Sequence, residues 1–496
     1  MTRRCRPLGP FAALIATLLA ACSSIPEPPP DGAVLTDTAV LPVAWTERLR
    51  SERDLLGRPV PQTVWVGFDD ADLLRLVTAA ITDTPDIRAA QARIRQARTA
   101  VAIAEARRRP SLSLSSTVSR DRASEEAQIF PMTPGMDGGF EIPLETDSYG
   151  VTATASWEPD VWGEEALRVA SAELTADAAE AAATAVALSL QSETARTYIQ
   201  LRGAQARLGV LGRNIELLEE NRRLTDLLVG RDLSPRFDLV QVEADLEALR
   251  AEVVAVEATA VARGYALSTL TGQPPQAIDD LLLDDVADIP AYSGGIAPGL
   301  PSDLLLRRPD LVQAGLELRA TRLDVEAEEL NRLPTFSLTG EGGLLSMTLE
   351  ALISEDARRG LLSVALNWPV YQGGRLNALR EQAEATEDLA SANYDAAILI
   401  ALRDVEQAFE EYVAANRRLT RLDRAVSRRE EVLELAELRF RSGLDSQFRV
   451  LEAQTALLNA RTSRVDASQA AAEAIVRINA ALGGYWGGSP SSISTP

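Results

Sequence analysis

The chain repeats itself. Residues 85–114, PDIRAAQARIRQARTAVAIAEARRRPSLSL, align without a gap with residues 309–338, PDLVQAGLELRATRLDVEAEELNRLPTFSL, at an offset of 224. Pro85 meets Pro309, Asp86 meets Asp310, Arg95 meets Arg319, Arg98 meets Arg322 and Pro110 meets Pro334. A second block aligns at an offset of 211, bringing Trp157 onto Trp368, Gly163 onto Gly374, Phe237 onto Phe448 and Gly272 onto Gly483. The offsets differ by 13, so the segment from Pro110 to Trp157 is 13 residues longer than the one from Pro334 to Trp368. A tandem duplication of this size requires a fold whose halves do the same structural work.

Each half has the same order of signals. A helical stretch rich in Ala, Leu, Arg and Glu, about 70–108 and 302–332, ends at Pro110 or Pro334. Period-2 alternation follows at Leu112, Leu114 and Val118, and at Phe336 and Leu338. After a loop comes a second alternating run: Val151, Ala153, Ala155, Trp157 in one half, and Leu362, Val364, Leu366, Trp368 in the other. These runs read as strands joined in hairpins. Glycines at Gly163 and Gly373-Gly374 mark the exit into very long helical stretches, about 164–229 and 375–441. At 1.5 Å per residue each is roughly 100 Å if unbroken. Turns at Gly230–Pro235 and Ser442–Ser446 lead into last helices that run to about 271 and 482.

The long stretches carry a heptad seam. Ile398, Leu402, Val405, Phe409 and Tyr412 step by four and three, and Leu419, Leu422 and Val426 continue it. Leu201, Leu208, Leu211, Ile215 and Leu218 hold the same register in the first half. This is coiled-coil spacing, and by periodicity alone a soluble antiparallel bundle capped by two hairpins is also consistent with it. The strands argue for something else. Each is about as long as the 9–11 residues that cross a bilayer, yet four cannot close a barrel and open edges are not tolerated in lipid. Three copies would supply twelve strands, and a head-to-tail ring suits a duplicated chain.

Composition narrows the chemistry. There is no His and no Lys, so all 50 basic residues are Arg. That removes imidazole acid–base catalysis, His metal ligation and lysine Schiff-base or phosphate-loop chemistry. A formal charge of −22 opposes nucleic-acid binding, which needs a basic face. Aromatics are only 5%, so the buried surface is built from Ala, Leu and Val. We expect no catalytic residue, no cofactor and no metal site.

The two cysteines, Cys5 and Cys22, lie at the N-terminus. Arg3, Arg4 and Arg6 precede an apolar run from Phe11 to Leu19, too short for a stable span but suited to a signal-peptide core. Leu19-Ala20-Ala21-Cys22 then resembles a bacterial lipobox, in which the cysteine is lipidated and becomes the mature N-terminus. Removing 1–21 takes three Arg and leaves the mature chain near −25. Two or three acyl chains make a stable anchor where one is marginal. Ser23 follows Cys22, and the absence of Asp there leans towards the outer membrane. Pro26-Glu27-Pro28-Pro29-Pro30 reads as an extended tether.

The order of motifs carries a specific resemblance. Trp65-x-x-Phe68-x-Asp70-x-x-Leu73, Trp157-Glu158-Pro159-Asp160-Val161-Trp162-Gly163, Arg307-Arg308-Pro309-Asp310 and Trp368-Pro369-Val370-Tyr371-x-Gly373-Gly374-Arg375 appear in sequence. Arg439-Phe440-x-x-Gly443-x-Asp445, Val450-Leu451-x-Ala453-Gln454 and Leu482-Gly483-Gly484-x-Trp486 follow. So arranged, the chain resembles the outer membrane factor (TolC-like) family, in its lipoprotein, NodT/OprM-like branch of RND efflux channels. The resemblance runs from the lipobox to about Gly484. It implies a mainly α fold with a membrane β-barrel: a homotrimer in which four strands per chain build a twelve-stranded outer-membrane barrel and the long helices build a periplasmic tunnel. It implies a periplasmic adaptor and an inner-membrane RND-type pump as partners, outer membrane lipid around the barrel, and no nucleic acid. The expected segments are a signal peptide (1–21), a lipidated extension (22–64), repeat 1 (65–285), repeat 2 (286–484) and a flexible tail (485–496).

The resemblance also places a gate at the helix–turn–helix tips, 225–243 and 437–454. It points to Arg439, Phe440, Asp445, Phe448 and Glu452. The family's usual Tyr is Phe440 here, its Leu-like ring is Phe448 and its Asp is Glu452. Three carboxylates brought together repel one another and attract cations, and three apolar rings dewet a constriction. The same rings would also serve to pack coiled-coil partners, and Glu452 would also suit a solvated face. The acidic balance fits a cation-favouring tunnel or simply a soluble periplasmic body. The remaining alternatives are a lipid-anchored scaffold without a pore and the outlet of a type I protein-secretion system.

Overall fold

The computed structural model describes residues 42, 44–46, 59–61, 63–122, 124, 145–282 and 288–484. The signal segment, Cys22, the Pro-rich tether and the tail with Trp486 lie outside the described residues. Seven helices longer than one turn and four strands are described: α1 (Ala71–Thr82), α2 (Pro85–Arg107), β1 (Ser111–Arg122), β2 (Glu145–Trp157), α3 (Glu164–Val229), α4 (Arg236–Leu270), α5 (Pro309–Leu330), β3 (Thr335–Ser346), β4 (Arg358–Asn367), α6 (Arg375–Arg441) and α7 (Gln447–Ala481).

The repeat is visible in the boundaries. Moving β1 by 224 residues gives the bounds of β3, and moving α4 by 211 gives those of α7. The long helices begin at Glu164 and Arg375, again 211 apart. Along its whole length α6 has neither Gly nor Pro, so nothing interrupts the i to i−4 ladder. The expected single helices over 70–108 and 302–332 are each broken. Pro85 and Pro309 open new helices, because proline lacks the N–H a continuing helix needs but suits the first helical position.

The described chain divides into two compact units, each drawing segments from both repeats. One comprises Gln96–Ala176 and Glu317–Ser391 and contains the sheet, in the order β1-β2-β3-β4, antiparallel throughout. Its strand ends are fixed by indole hydrogen bonds. Trp157 donates to the Arg108 carbonyl at 3.0 Å and Trp162 to the Pro334 carbonyl at 2.7 Å. Asp160 accepts from the backbone N–H of Ala166 at 2.8 Å and caps the start of α3.

The other unit holds the described residues up to Arg95, those from Asp177 to Leu316 and those from Ala392 to Gly484. Its core includes Tyr198, Ile199, Leu201, Tyr394, Val405 and Phe409. The seam expected from the heptads is buried at Ile398, Val405 and Phe409 and only half-covered at Leu419, Leu422 and Val426. Asp70 caps α1 by accepting from Leu73 N–H at 2.8 Å, and its carboxylate takes the Tyr198 hydroxyl at 2.9 Å. Arg202 donates to that hydroxyl at 2.8 Å. Burial pushes the Tyr198 phenol above its usual range, so the hydroxyl stays a donor. The Trp65/Phe68/Asp70/Leu73 motif is therefore a structural clasp.

Candidate functional site

Register sorts the strand residues onto two faces, since residues directly opposite one another share a face. Ser113 faces Thr154, Ser115 faces Thr152, and Thr339 faces both Ser156 and Ser363. That face is a field of hydroxyls. On the other, Leu112 faces Ala155, Leu114 faces Ala153, Val118 faces Tyr149, Leu338 faces Trp157 and Val364, and Phe336 faces Leu366. The apolar side chains of the two edge strands are bare: Leu112, Leu114, Val118, Leu362 and Val364 are 71 to 77% exposed. A contiguous exposed apolar face on a strand pair marks a contact with lipid or with another protein. Aromatics sit at its ends, with Trp157, Phe336 and Trp368 at one and Tyr149 at the other. From Tyr149 to Trp157 the strand covers about 26 Å at 3.3 Å per residue, near the height of an outer-membrane apolar band.

Both edges of this sheet are open, because within the chain β1 pairs with β2 and β4 with β3. Among the described residues no helix is long and apolar enough to cross a membrane.

The two helix–turn–helix tips are built alike. At each, a residue in the left-handed region follows the long helix: Asp232 (φ 57°) and Gly443 (φ 69°). The next residue's N–H reaches back five residues, Leu233 to the Leu228 carbonyl and Leu444 to the Arg439 carbonyl, both at 2.9 Å. This is a Schellman closure, and it fixes the turn without a long loop. The second tip adds a side-chain bridge, Arg439 Nε to Asp445 Oδ2 at 3.1 Å. Its repeat equivalents, Leu228 and Ser234, have no such bridge to form.

The other residues singled out at the tip fall as follows. Phe440 is half-buried, whereas Phe448 is 60% exposed, as is its repeat equivalent Phe237 at 70%. Leu233 and Leu444 are exposed to the same degree as Phe237. Glu452 is exposed and pairs with Arg449 at 2.9 Å. So Arg439 and Asp445 meet, Glu452 turns to Arg449, and the two phenylalanines differ in cover.

Three polar ties escaped the sequence reading. Gln447 Nε2 donates to Thr225 Oγ1 at 2.6 Å, and Thr225 is fully buried. Asn221 Nδ2 donates to Gln454 Oε1, also at 2.6 Å. Both link the end of α3 to the start of α7. The third is Arg207 to Asp466 at 4.0 Å, higher on the same pair. Only Gln454 lay in a quoted motif, and nothing in spacing indicates a partner more than 200 residues away. Near the tip the two ties between α3 and α7 are neutral, whereas those within each hairpin include ion pairs, as in Arg250–Glu219 and Arg461–Glu430. Among the described residues no group of three carboxylates is placed to hold a metal ion.

The sequence profile described as outer membrane efflux protein matches residues 76–273 and 300–484, one stretch in each repeat. The chain is similar to the outer membrane protein OprJ of Pseudomonas aeruginosa, 29% identical over 96% of both chains. It is similar to the pyoverdine export outer membrane protein OpmQ of the same species, 27% identical over 95% of both. Among solved structures, the outer-membrane channel OprN superposes with a TM-score of 0.79 at 27% identity, covering 91% of this chain and 98% of that one.

Proposed function

The chain belongs to the outer membrane efflux protein family, and from that premise we propose that three copies of it form the exit duct of a tripartite efflux system. The function is transport: an outer membrane channel through which substrates leave. The observation that carries the assembly is the two-faced, four-stranded sheet with both edges open. In lipid every edge must find a partner. The edge strands are bare on the apolar face, and the hydroxyl face suits a water-filled lumen.

The duplication specifies how copies join. β2 of the first repeat pairs with β3 of the second, Ala153 opposite Gly342 and Trp157 opposite Leu338. Moving both strands by their repeat offsets turns this into β4 of one copy against β1 of the next. Val364 then lies opposite Val118 and Trp368 opposite Leu114. This register keeps Val364, Leu366 and Trp368 on the same face as Leu114 and Val118, as a continuous sheet requires.

Cys22, lipidated, adds an anchor on the periplasmic leaflet, and a periplasmic adaptor and an inner-membrane RND-type pump complete the path. The tips form the periplasmic gate. Phe448 and Leu444 supply its apolar lining, Glu452 its charge, and the Arg439–Asp445 bridge sets the shape of the turn next to Phe440. The exposure of Phe448 supports this part. Purified protein in a planar bilayer tests the reading: low closed-state conductance that rises several-fold in Phe448→Ala/Glu452→Ala. A protein that never conducts, and that leaves the membrane fraction when Cys22 is replaced by Ala, is a lipid-anchored scaffold instead.

A further inference from the structure

A cavity of about 580 Å³ opens at the base of the sheet, where β2 ends and α3 begins. Trp157, Trp162 and Phe336 line it together with the acidic Glu158 and Glu165 and the basic Arg107 and Arg109. Trp157 and Phe336 are also the last aromatics of the apolar strand face. Ser111, Ser156 and Ser337 of the hydroxyl face line it as well, so the cavity sits at the end of the sheet, where both faces give way to charge.

Its carboxylates are not equivalent. Asp160 is occupied in capping α3, and Glu164 holds Arg168 at 2.8 Å. Glu165 is different: its Oε2 is shut off from water and has no hydrogen-bond partner. Burial pushes this carboxyl above its usual range, against the pull of the nearby Arg107 and Arg168. A buried carboxylate oxygen without a donor is costly unless something supplies one. Arg109, also in the lining, pairs with Glu105 at 3.2 Å on an exposed surface, and such a pair exchanges readily.

The duplication shows that the junction does not need this chemistry to fold. Trp157 and Gly163 have their counterparts in Trp368 and Gly374, yet Glu158, Asp160, Trp162 and Glu165 correspond to Pro369, Tyr371, Gly373 and Leu376. Glu158, Asp160, Trp162 and Glu165 have no counterpart of their kind in the second repeat.

We infer that this cavity binds the headgroup of a zwitterionic aminophospholipid, its ammonium held by Glu165 and Glu158 and its phosphate by Arg107 and Arg109. The inference rests on the membrane reading above. An ammonium in the cavity supplies a donor to Glu165 once the carboxyl turns its covered oxygen outward, and the rings beside it favour a cation. A guanidinium fork suits a phosphate. A simple anion would leave Glu165 unanswered, and a simple cation would meet Arg107.

Native mass spectrometry of the purified full-length protein in detergent tests this. Phosphatidylethanolamine, phosphatidylglycerol and phosphatidylcholine of matched acyl chains are titrated in turn. Phosphatidylethanolamine should be retained at one per chain and about tenfold more tightly than the other two, a difference of about 1.4 kcal/mol. Soluble glycerophosphoethanolamine should compete for the site. Glu165→Gln should erase the preference, and the exposed control Glu173→Gln should keep it. Because Glu165→Gln removes a buried charge without changing shape, its melting temperature in lipid-free detergent should match or exceed that of the parent. Added phosphatidylethanolamine should raise only the parent's. Equal retention of all three lipids by the parent, or a preference that survives Glu165→Gln, overturns the inference. The same spectra count chains per complex. A monomer would contradict the shared barrel, while the lipid-per-chain ratio would still judge the cavity, whose lining comes from one chain.

Discussion

Arg308 Nη1 donates to the carbonyl of Ala481 at 3.1 Å, joining the residue that precedes α5 to the end of α7. The same guanidinium forms a fork with Asp310, Nη2 to Oδ2 at 2.7 Å and Nε to Oδ1 at 3.1 Å. Just beyond, Gly483 has φ 77°, and a Cβ there would lie 2.6 Å from the Arg307 carbonyl. Two motifs distant in sequence, Arg307-Arg308-Pro309-Asp310 and Leu482-Gly483-Gly484, are thus the two halves of one closure.

Arg308→Gln should lower stability by about 2–3 kcal/mol, the range for losing charge-assisted hydrogen bonds at a buried position. Gly483→Val should cost at least as much, through the left-handed backbone and the missing space. Thermal unfolding in detergent reads both. A shift within error for either would mean that this closure contributes little.

The closure also sets a pH dependence. Burial works to raise the Asp310 carboxyl, but the hydrogen bonds and charge of Arg308, with the Leu311 N–H, hold it below its usual range. A carboxyl with a depressed folded value stabilises the fold above its unfolded value, near 4, and loses that stability as pH falls through the folded value. The melting temperature should therefore drop below about pH 4, and Asp310→Asn should flatten part of that slope. An identical acid limb in the variant would assign the loss to other carboxylates.

The two tips share a left-handed residue, so adding a glycine at one and removing it at the other should have opposite effects. Asp232 occupies a left-handed conformation that favours glycine, whereas Gly443 already provides it. Asp232→Gly should stabilise its turn by about 0.5–1 kcal/mol, and Gly443→Ala should destabilise its own by about 1 kcal/mol. Hydrogen exchange at the amides of Leu233 and Leu444 measures each turn separately.

Gating should respond to neutral ties more than to charged ones. Thr225–Gln447 is buried, whereas Arg439–Asp445 is a partly exposed pair worth about 1 kcal/mol or less. Gln447→Ala should raise leak conductance several-fold at any salt concentration. Arg439→Ala should change it modestly, and less in high salt. If leak follows Arg439 and ignores Gln447, the hold on the tip is electrostatic.

Much of this was legible beforehand. The duplication located β1 and β3, α4 and α7, and the starts of both long helices, because one element boundary had to reappear at a fixed offset. Period-2 runs gave the strands and heptads gave the seam. The breaks before Pro85 and Pro309 were signalled by proline itself but merged into one helical stretch, since alanine-rich sequence on both sides kept the period. The tip ties, the Arg308–Ala481 closure and the unsatisfied Glu165 had no local signal. Each depends on side chains meeting across segments that only the fold brings together. At the tip, Glu452 is partnered by Arg449, a contact three residues away that helix spacing permits and does not require.

The measurement closest to the central claim is a cross-link at the edge between copies. Val118→Cys/Val364→Cys, with Cys22 kept for lipidation, places two thiols opposite each other only if β4 of one copy pairs with β1 of the next in the register set by the repeat. Facing strand positions, about 4.5–5.5 Å apart at Cα, suit a disulfide. Mild oxidation should give a covalent closed trimer that collapses to one chain on reduction, while Val118→Cys/Leu362→Cys, shifted by two residues, should cross-link poorly. Monomer throughout, or equal cross-linking of both pairs, would contradict a shared barrel built in this register.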